Sequence, residues 1–215
     1  TIARLKGDRI IVAHQHFPET DVANFDKVAV RVSEDDGKSW GPPRVIRVDG
    51  LPEGMRFPFD PTLVPLPDGR VRLYFTGNMG RDARGGVPAI HSAISGDGIN
   101  YTYEPDVRFA VEGRQVIDCA VVLHRGVFHL YAPHTGARAP GQRPGEEAPE
   151  DRPRPGVGYH ATSEDGLNFT RQPDVQIEGR CRWLGNAQSD GRHITFFGTA
   201  DGQPPPGPGA PPRAG

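Results

Sequence analysis

Cysteine is nearly absent: Cys119 and Cys181 are the two in 215 residues. That excludes a disulfide framework and a metal knuckle, which need several thiols at short spacing. Two buried free thiols, or one bridge between equivalent places of successive repeats, remain, and free thiols are the preferred reading. Long apolar runs are missing as well. No stretch reaches the roughly 18 residues that a membrane-crossing helix requires. Neither sign of charge dominates. Lys and Arg number 25 against 27 Asp and Glu, for a net charge of −2. This balance gives no general pull towards nucleic acid or an anionic membrane. Helical periodicity is lacking throughout, and no phosphate loop, nucleophile elbow or redox motif occurs. The chain opens on Thr1 with no basic leader or apolar targeting segment, so a processed, trimmed or partial chain is expected.

Glycine (28) and proline (23) are abundant, and the proline is unevenly spread. The segments "ARAPGQRPGEEAPEDRPRPG" (Ala137 to Gly156) and "GQPPPGPGAPPRAG" (Gly202 to Gly215) hold much of it. Such compositions bury too little apolar surface to offset their ordering entropy. The first is expected to be a mobile loop and the second a linker, with the ordered unit ending near Ala200.

Between these segments the sequence repeats. The phrases "KGDRIIVAHQHF", "PDGRVRLYFTG", "HRGVFHLYAPHTG" and "SDGRHITFFGTADG" each place a glycine turn before alternating apolar residues, the mark of a half-buried strand. Their glycines, Gly7, Gly69, Gly126 and Gly191, are 62, 57 and 65 residues apart. Two of the units are preceded by short apolar strands opened by an aspartate, "FDPTLVPL" and "IDCAVVL". A third phrase recurs downstream: "SEDDGKSW" from Ser33, "SGDGINY" from Ser95 and "SEDGLNF" from Ser163. Each unit therefore reads as one four-stranded antiparallel blade, and the expected fold is an all-β β-propeller. The blades are expected at about 1–50, 51–110, 111–176 and 177–200 (the last partial), followed by a Pro/Gly-rich tail at 201–215. The first unit lacks an Asp-led inner strand in this reading.

The Ser-x-Asp-Gly turn has a structural rationale. Its carboxylate can accept loop N–H groups as in an Asx-turn. Glycine adopts a backbone angle closed to other residues. The aromatic that follows (Trp40, Tyr101 or Phe169) can fold under the hairpin and fill the space between blades. On these residues the chain resembles the Asp-box sialidase (neuraminidase) superfamily. "DPTLVPLPDGRVRLYFTG" with "SAISGDGINY" also resembles the five-bladed propellers of the arabinanase–levansucrase type. The resemblance covers most of residues 1–200 and implies a carbohydrate-active propeller of secreted or periplasmic location. It speaks more to fold than to activity, since one fold hosts many functions.

That topology puts the starts of inner strands and the ends of second strands on one face. Asp60 and Asp118 would open equivalent inner strands there, with His14, His16, Asn78, His134 and Asp201 at second-strand ends. Three connections carry Glu-Gly and then arginine: Arg56, Arg114 and Arg180. Guanidinium forks bind carboxylates in bidentate fashion and would suit an acidic sugar; pairing with Glu53, Glu112 and Glu178 is the competing role. Glycoside hydrolysis needs two carboxyl groups, one protonated and one ionised. Asp60 and Asp118 are the candidate catalytic pair, one as base and the other tuning or orienting it. Each could instead cap the start of its blade. Arg56, Arg114, Arg180, His16, His134 and Asn78 are candidate substrate contacts. The fourth unit offers "WLGNAQ" and no carboxylate, so a general acid would have to come from Glu146, Glu147 or Glu150, or from elsewhere. No cofactor is expected. A divalent ion among His16, His134, Asp60 and Asp118 is the minor alternative. The expected partner is a glycan or another small polar ligand, and the competing class is a binding or scaffold propeller without turnover.

Overall fold

The computed structural model describes residues 1–55, 58–78, 87–134, 156–177 and 181–200, without the side chains of 181–185 and 199–200. It consists of antiparallel sheets that follow one another along the chain. The first has the order β1 (Ile2–Arg4), β2 (Ile10–His16), β3 (Lys27–Ser33) and β4 (Arg44–Val45). The second contains β6 (Phe59–Pro65), β7 (Val71–Gly77), β8 (Ala89–Ser95) and β9 (Asn100–Phe109). In the third, β10 (Ala120–His124), β11 (Val127–Pro133), β12 (Val157–Ser163) and β13 (Thr170–Gln176) repeat that order. The last pairs β14 (Cys181–Ser189) with β15 (Ile194–Ala200). Among the described residues the one helical turn is Val22–Asn24, and no helix is long and apolar enough to cross a membrane.

Two features depart from the sequence reading. The first sheet does have an inner strand, with Ile2 opposite Val12 and Arg4 opposite Ile10. Three residues are too few to show alternation, and no aspartate announces them. The second sheet has a fifth strand, β5 (Arg47–Asp49), which runs parallel to β9 with Arg47 opposite Asn100. Buried Ile46 is the pivot. Its N–H binds Val28 O at 3.1 Å in the first sheet, and the next residue, Arg47, donates to Ile99 O at 3.0 Å. One short segment thus ties two sheets together.

The apolar faces of successive sheets meet in three cores. Ile11, Val28, Val30, Leu73, Phe75 and Tyr101 fill the first interface. Tyr74, Ile90, Leu130 and Tyr159 fill the second. Ala120, Val122, Tyr131 and Ala187 pack against Ile194 and Phe196 in the third. The inner strands β1, β6, β10 and β14 all contribute to one cavity of about 320 Å³, lined by Ala3, Val64, Val122 and Gln188 among others. Sheets packed face to face around a shared axis, with innermost strands lining it, are the blades of a β-propeller.

The three Ser-x-Asp-Gly turns are alike in their bonding. Asp97 Oδ1 accepts the N–H groups of Ile99 and Asn100 at 2.8 Å each, and Asp165 Oδ1 accepts those of Leu167 and Asn168 at 2.8 and 2.9 Å. Asp35 accepts from Ser39 at 2.8 Å. These donors stabilise the ionised form, so side-chain and backbone bonds from Ser39 hold the Asp35 carboxyl down to about 2. The aromatic residues behave differently. Tyr101 is buried in the first core and half-buried Phe169 packs edge-on to Tyr74 at 6.0 Å. Trp40 is 39% exposed and lies over its own turn, its indole N–H donating to Gly37 O at 3.1 Å. The inter-blade filling expected of all three aromatics therefore holds for two.

Glycine is required where the turns touch the preceding sheet. Gly98 has φ 77°, and a Cβ there would lie 2.8 Å from Ile11 Cδ1. Gly166 has φ 72°, and its Cβ would meet the Arg72 guanidinium and stand 2.7 Å from the Tyr74 hydroxyl. Ile11 and Arg72 occupy matching places, one past the residue opposite Ser33 and Ser95 respectively.

Candidate functional site

Asp60 is the second residue of β6 and Asp118 lies two residues before β10. Both take left-handed backbone angles, each with φ 53°. Such angles are uncommon outside glycine and mark a site worth a functional hypothesis. At Asp60 the strain is doubled, because Pro61 follows and normally pushes its predecessor to extended backbone. The strand bulges there, its pairing with β7 shifting between Phe59 and Thr62. A bulge re-aims a side chain.

A relay of polar side chains holds this geometry. The Thr76 hydroxyl donates to Asp60 Oδ2 at 3.0 Å and accepts the Asp118 N–H at 3.2 Å. One blade earlier, Gln15 Oε1 accepts the Asp60 N–H at 3.3 Å. The Gln15 amide nitrogen donates to Asp26 O at 2.7 Å and Asp26 Oδ1 at 3.0 Å. Thr62 fixes the next layer by donating to Cys119 O at 2.6 Å; Cys119 itself is a buried free thiol. Gln15 and Thr76 are equivalent positions, five past the residues opposite Ser33 and Ser95. In the third blade Pro133 holds that place, five past Phe128 opposite Ser163, and it has no side-chain acceptor to offer.

The two carboxyl groups are close enough to act on each other's ionisation. Burial raises both above the ordinary carboxylate range, and the neighbouring Asp60 charge adds to the effect on Asp118, which is pushed up to about 7. Two carboxylates this close cannot both ionise cheaply, so the pair holds one proton across a wide pH range. The Thr76 hydroxyl and Asp118 both favour charge on Asp60.

This has a consequence for stability. A carboxyl whose folded pKa is raised adds stability below its unfolded pKa and loses it as pH rises through the folded value. Between about pH 4 and pH 7 the folded chain holds a proton that the unfolded chain has released. Asp118 is expected to pull thermal stability down across that window, against the rise contributed by His91, whose burial lowers its pKa to about 4. Asp118→Asn is expected to remove the downward part and leave a more positive slope. The turn aspartates do not mask this, since their pKa values are lowered and their contribution is lost at more acid pH. Melting curves of both proteins from pH 4 to 8 test it; parallel slopes would reject the shared proton.

The other residues singled out in the sequence divide. His16 is half-buried at the end of β2, its ring 5.8 Å from that of His14. His134 is buried just past β11, with its ring 5.2 Å from Tyr159. Asn78 follows β7, and its buried Oδ1 has no hydrogen-bond partner among the described residues. Arg114 closes a turn on Val111, four residues ahead of Asp118, with its N–H on Val111 O at 3.1 Å. Arg56 and Arg180 lie outside the described residues, as do Asp201, the Pro-rich segments and Glu146, Glu147 and Glu150. No group of three His, Cys, Asp or Glu that could hold a metal ion is found among the described residues, so the structure does not assemble the divalent-ion alternative there. Sequence reading passed over Gln15, Thr76 and Asp26. Counting along each second strand from the serine opposite would have aligned Gln15 with Thr76.

No protein-family model matches the chain, and no curated protein matches it by sequence. Solved structures do resemble it in fold. An α-L-arabinofuranosidase of family GH43 from Clostridium thermocellum superposes with TM-score 0.60 at 11% identity, over 94% of this chain and 63% of that one. A GH32 β-fructofuranosidase of Bombyx mori gives 0.55 at 15% identity, over 84% and 35%. A Hadza microbial sialidase gives 0.52 at 15% identity, over 81% and 37%. The chain thus spans less than two thirds of each. The class that fold and neighbours define is the β-propeller. More particularly, it is a propeller whose blades, where described in full, are four antiparallel strands, a fold shared with solved glycosidase structures.

Proposed function

We propose that this propeller acts on a glycan at the end of its axis where Asp60 and Asp118 lie, and that it hydrolyses a glycosidic bond. The observation that carries the reading is the aspartate pair: two aspartates from successive blades, each in left-handed backbone, with Thr76 bonded to both and Gln15 to Asp60. Asp60, ionised, is the base or nucleophile. Asp118, protonated, orients it and sets its pKa. The two are too close to stand on opposite sides of a scissile bond, where glycosidases keep their carboxyls about 5 to 9.5 Å apart. The leaving-group acid is therefore a third group. Arg56, Arg114, Arg180, His16, His134 and Asn78 are proposed to orient the ligand.

The closeness of the carboxyls also supports a second reading, a carbohydrate-binding propeller without turnover, in which the pair only accepts sugar hydroxyl groups. Incubation with aryl arabinofuranosides, xylosides, sialosides and sucrose separates them. Release of aglycone or monosaccharide from one substrate class is expected. Glycan binding without turnover favours the second reading, and absence of both overturns the assignment.

A further inference from the structure

The loop between β2 and β3 carries an exposed aromatic pair. Phe17 is 59% and Phe25 55% exposed, with ring centroids 5.3 Å apart at 61°, and exposed Val22 is in the same loop. Leaving two phenyl rings in water forgoes burial worth about 1.5–3 kcal/mol per side chain, so a contiguous exposed patch of this kind marks an interaction surface. The loop is not slack. The N–H groups of Phe25 and Asp26 bind Val22 O at 3.2 Å and His16 O at 2.8 Å. Asn24 donates to Asp21 Oδ2 at 2.7 Å and accepts from the Lys27 ammonium at 3.4 Å. The rings are therefore presented rather than loosely tethered.

The loop is also wired to the candidate site. Gln15, two residues before Phe17, accepts the Asp60 N–H with its amide oxygen and grips Asp26, next to Phe25, with its amide nitrogen. Sugar rings suit such a surface. They show an apolar C–H face bordered by hydroxyl groups, and here the aromatic rings share their loop with the polar residues Glu19, Asp21 and Asn24, and Lys27 follows it. Rigid aromatic side chains give large contact area at low entropic cost.

We infer that Phe17 and Phe25 form a platform for the saccharide unit next to the one held at Asp60 and Asp118, making the protein selective for oligosaccharides over short glycosides. The inference rests on reading that pair as a glycan site. A printed array of arabinose, xylose, fructose and sialic acid units and their oligomers, each from one to six units long, supplies the probes for wild-type protein, Phe17→Ala/Phe25→Ala and Asp60→Asn. The double Phe variant is expected to lose at least tenfold in apparent affinity for chains of two or more units, with less than twofold change for single sugar units. Exposure of both rings predicts an unchanged melting temperature. Unchanged long-chain binding in the Phe variant, with binding lost in Asp60→Asn, overturns the platform and leaves the aspartate site standing. A wild-type dimer that the Phe variant abolishes, with array signals unaltered, assigns the rings to self-association and also overturns it. No wild-type signal on any probe overturns the glycan site and the platform with it.

Discussion

Replacing Arg72 with alanine is expected to lower the free energy of unfolding by about 3–5 kcal/mol, the range for breaking a buried ion pair from one side. The guanidinium side chain is 7% exposed and its partner Glu104 15%. The two meet as a fork, with Nε to Oε2 at 2.8 Å and Nη2 to Oε1 at 3.0 Å. Glu104 accepts a further bond from the Ser92 hydroxyl at 2.7 Å. The third guanidinium nitrogen crosses to the next blade and donates to Asp165 O at 2.9 Å. Tyr74 and Arg108 reach the two carbonyls that follow, Gly166 O at 2.8 Å and Leu167 O at 3.0 Å. Three consecutive carbonyls of the third blade's Ser-x-Asp-Gly turn are thus held by the second blade. Alanine at position 72 strands the Glu104 charge and releases one of those carbonyls. Arg72→Lys, which keeps charge but not the fork, should fall between the two. Arg72→Met with Glu104→Leu removes both partners together and should cost far less than the single changes added. Urea unfolding of the wild type, these three variants and the single changes Arg72→Met and Glu104→Leu measures this; a loss under about 1 kcal/mol for Arg72→Ala would show that the staple does not hold the blades.

Much of this fold was readable because its turns are chemically demanding. Gly69, Gly126 and Gly191 all take positive φ, so the same residue must return in each blade and the repeat stands out. Alternating strands such as "VRLYFTG" announce themselves by the same logic of period two. What could not be read is what local sequence does not dictate. β1 has three residues and β5 three, and each exists because a neighbouring strand offers an edge. The exposure of Trp40 depends on what stands beside the first sheet, whereas Tyr101 and Phe169 have a sheet to pack on. At the site, the repeat put Asp60 and Asp118 at the heads of sister strands. The relay through Gln15 and Thr76 was hidden, because different side chains do one job at one structural position: an amide oxygen in one blade, a hydroxyl in the next. Side-chain identity conceals the equivalence, and strand register reveals it.

On the best substrate of the glycoside panel, Asp60→Asn is expected to reduce kcat/KM by about 10²–10⁴-fold, the usual contribution of a positioned base. Asp118→Asn should cost less, because the amide nitrogen can still donate to the Asp60 carboxylate. The shape of the pH profile carries the sharper test. In the wild type the active species is the singly protonated pair, Asp60 charged and Asp118 neutral. Activity then rises as the pair loses its first proton, above the ordinary carboxylate range since burial raises Asp60. It falls again as the second leaves near pH 7. These apparent values belong to the pair rather than to either residue. Asparagine at position 118 has no proton to lose, so the alkaline limb near pH 7 should vanish. The acidic limb should persist and not move to lower pH, because neutral Asp118 already favours charge on Asp60 in the wild type and the asparagine amide can do no more than replace that bond. A merely structural Asp118 would lower the rate at every pH and leave the bell in place. Retention of the alkaline limb in Asp118→Asn, or more than a tenth of wild-type activity in Asp60→Asn, would show that the proton these blades share is not the one that drives turnover.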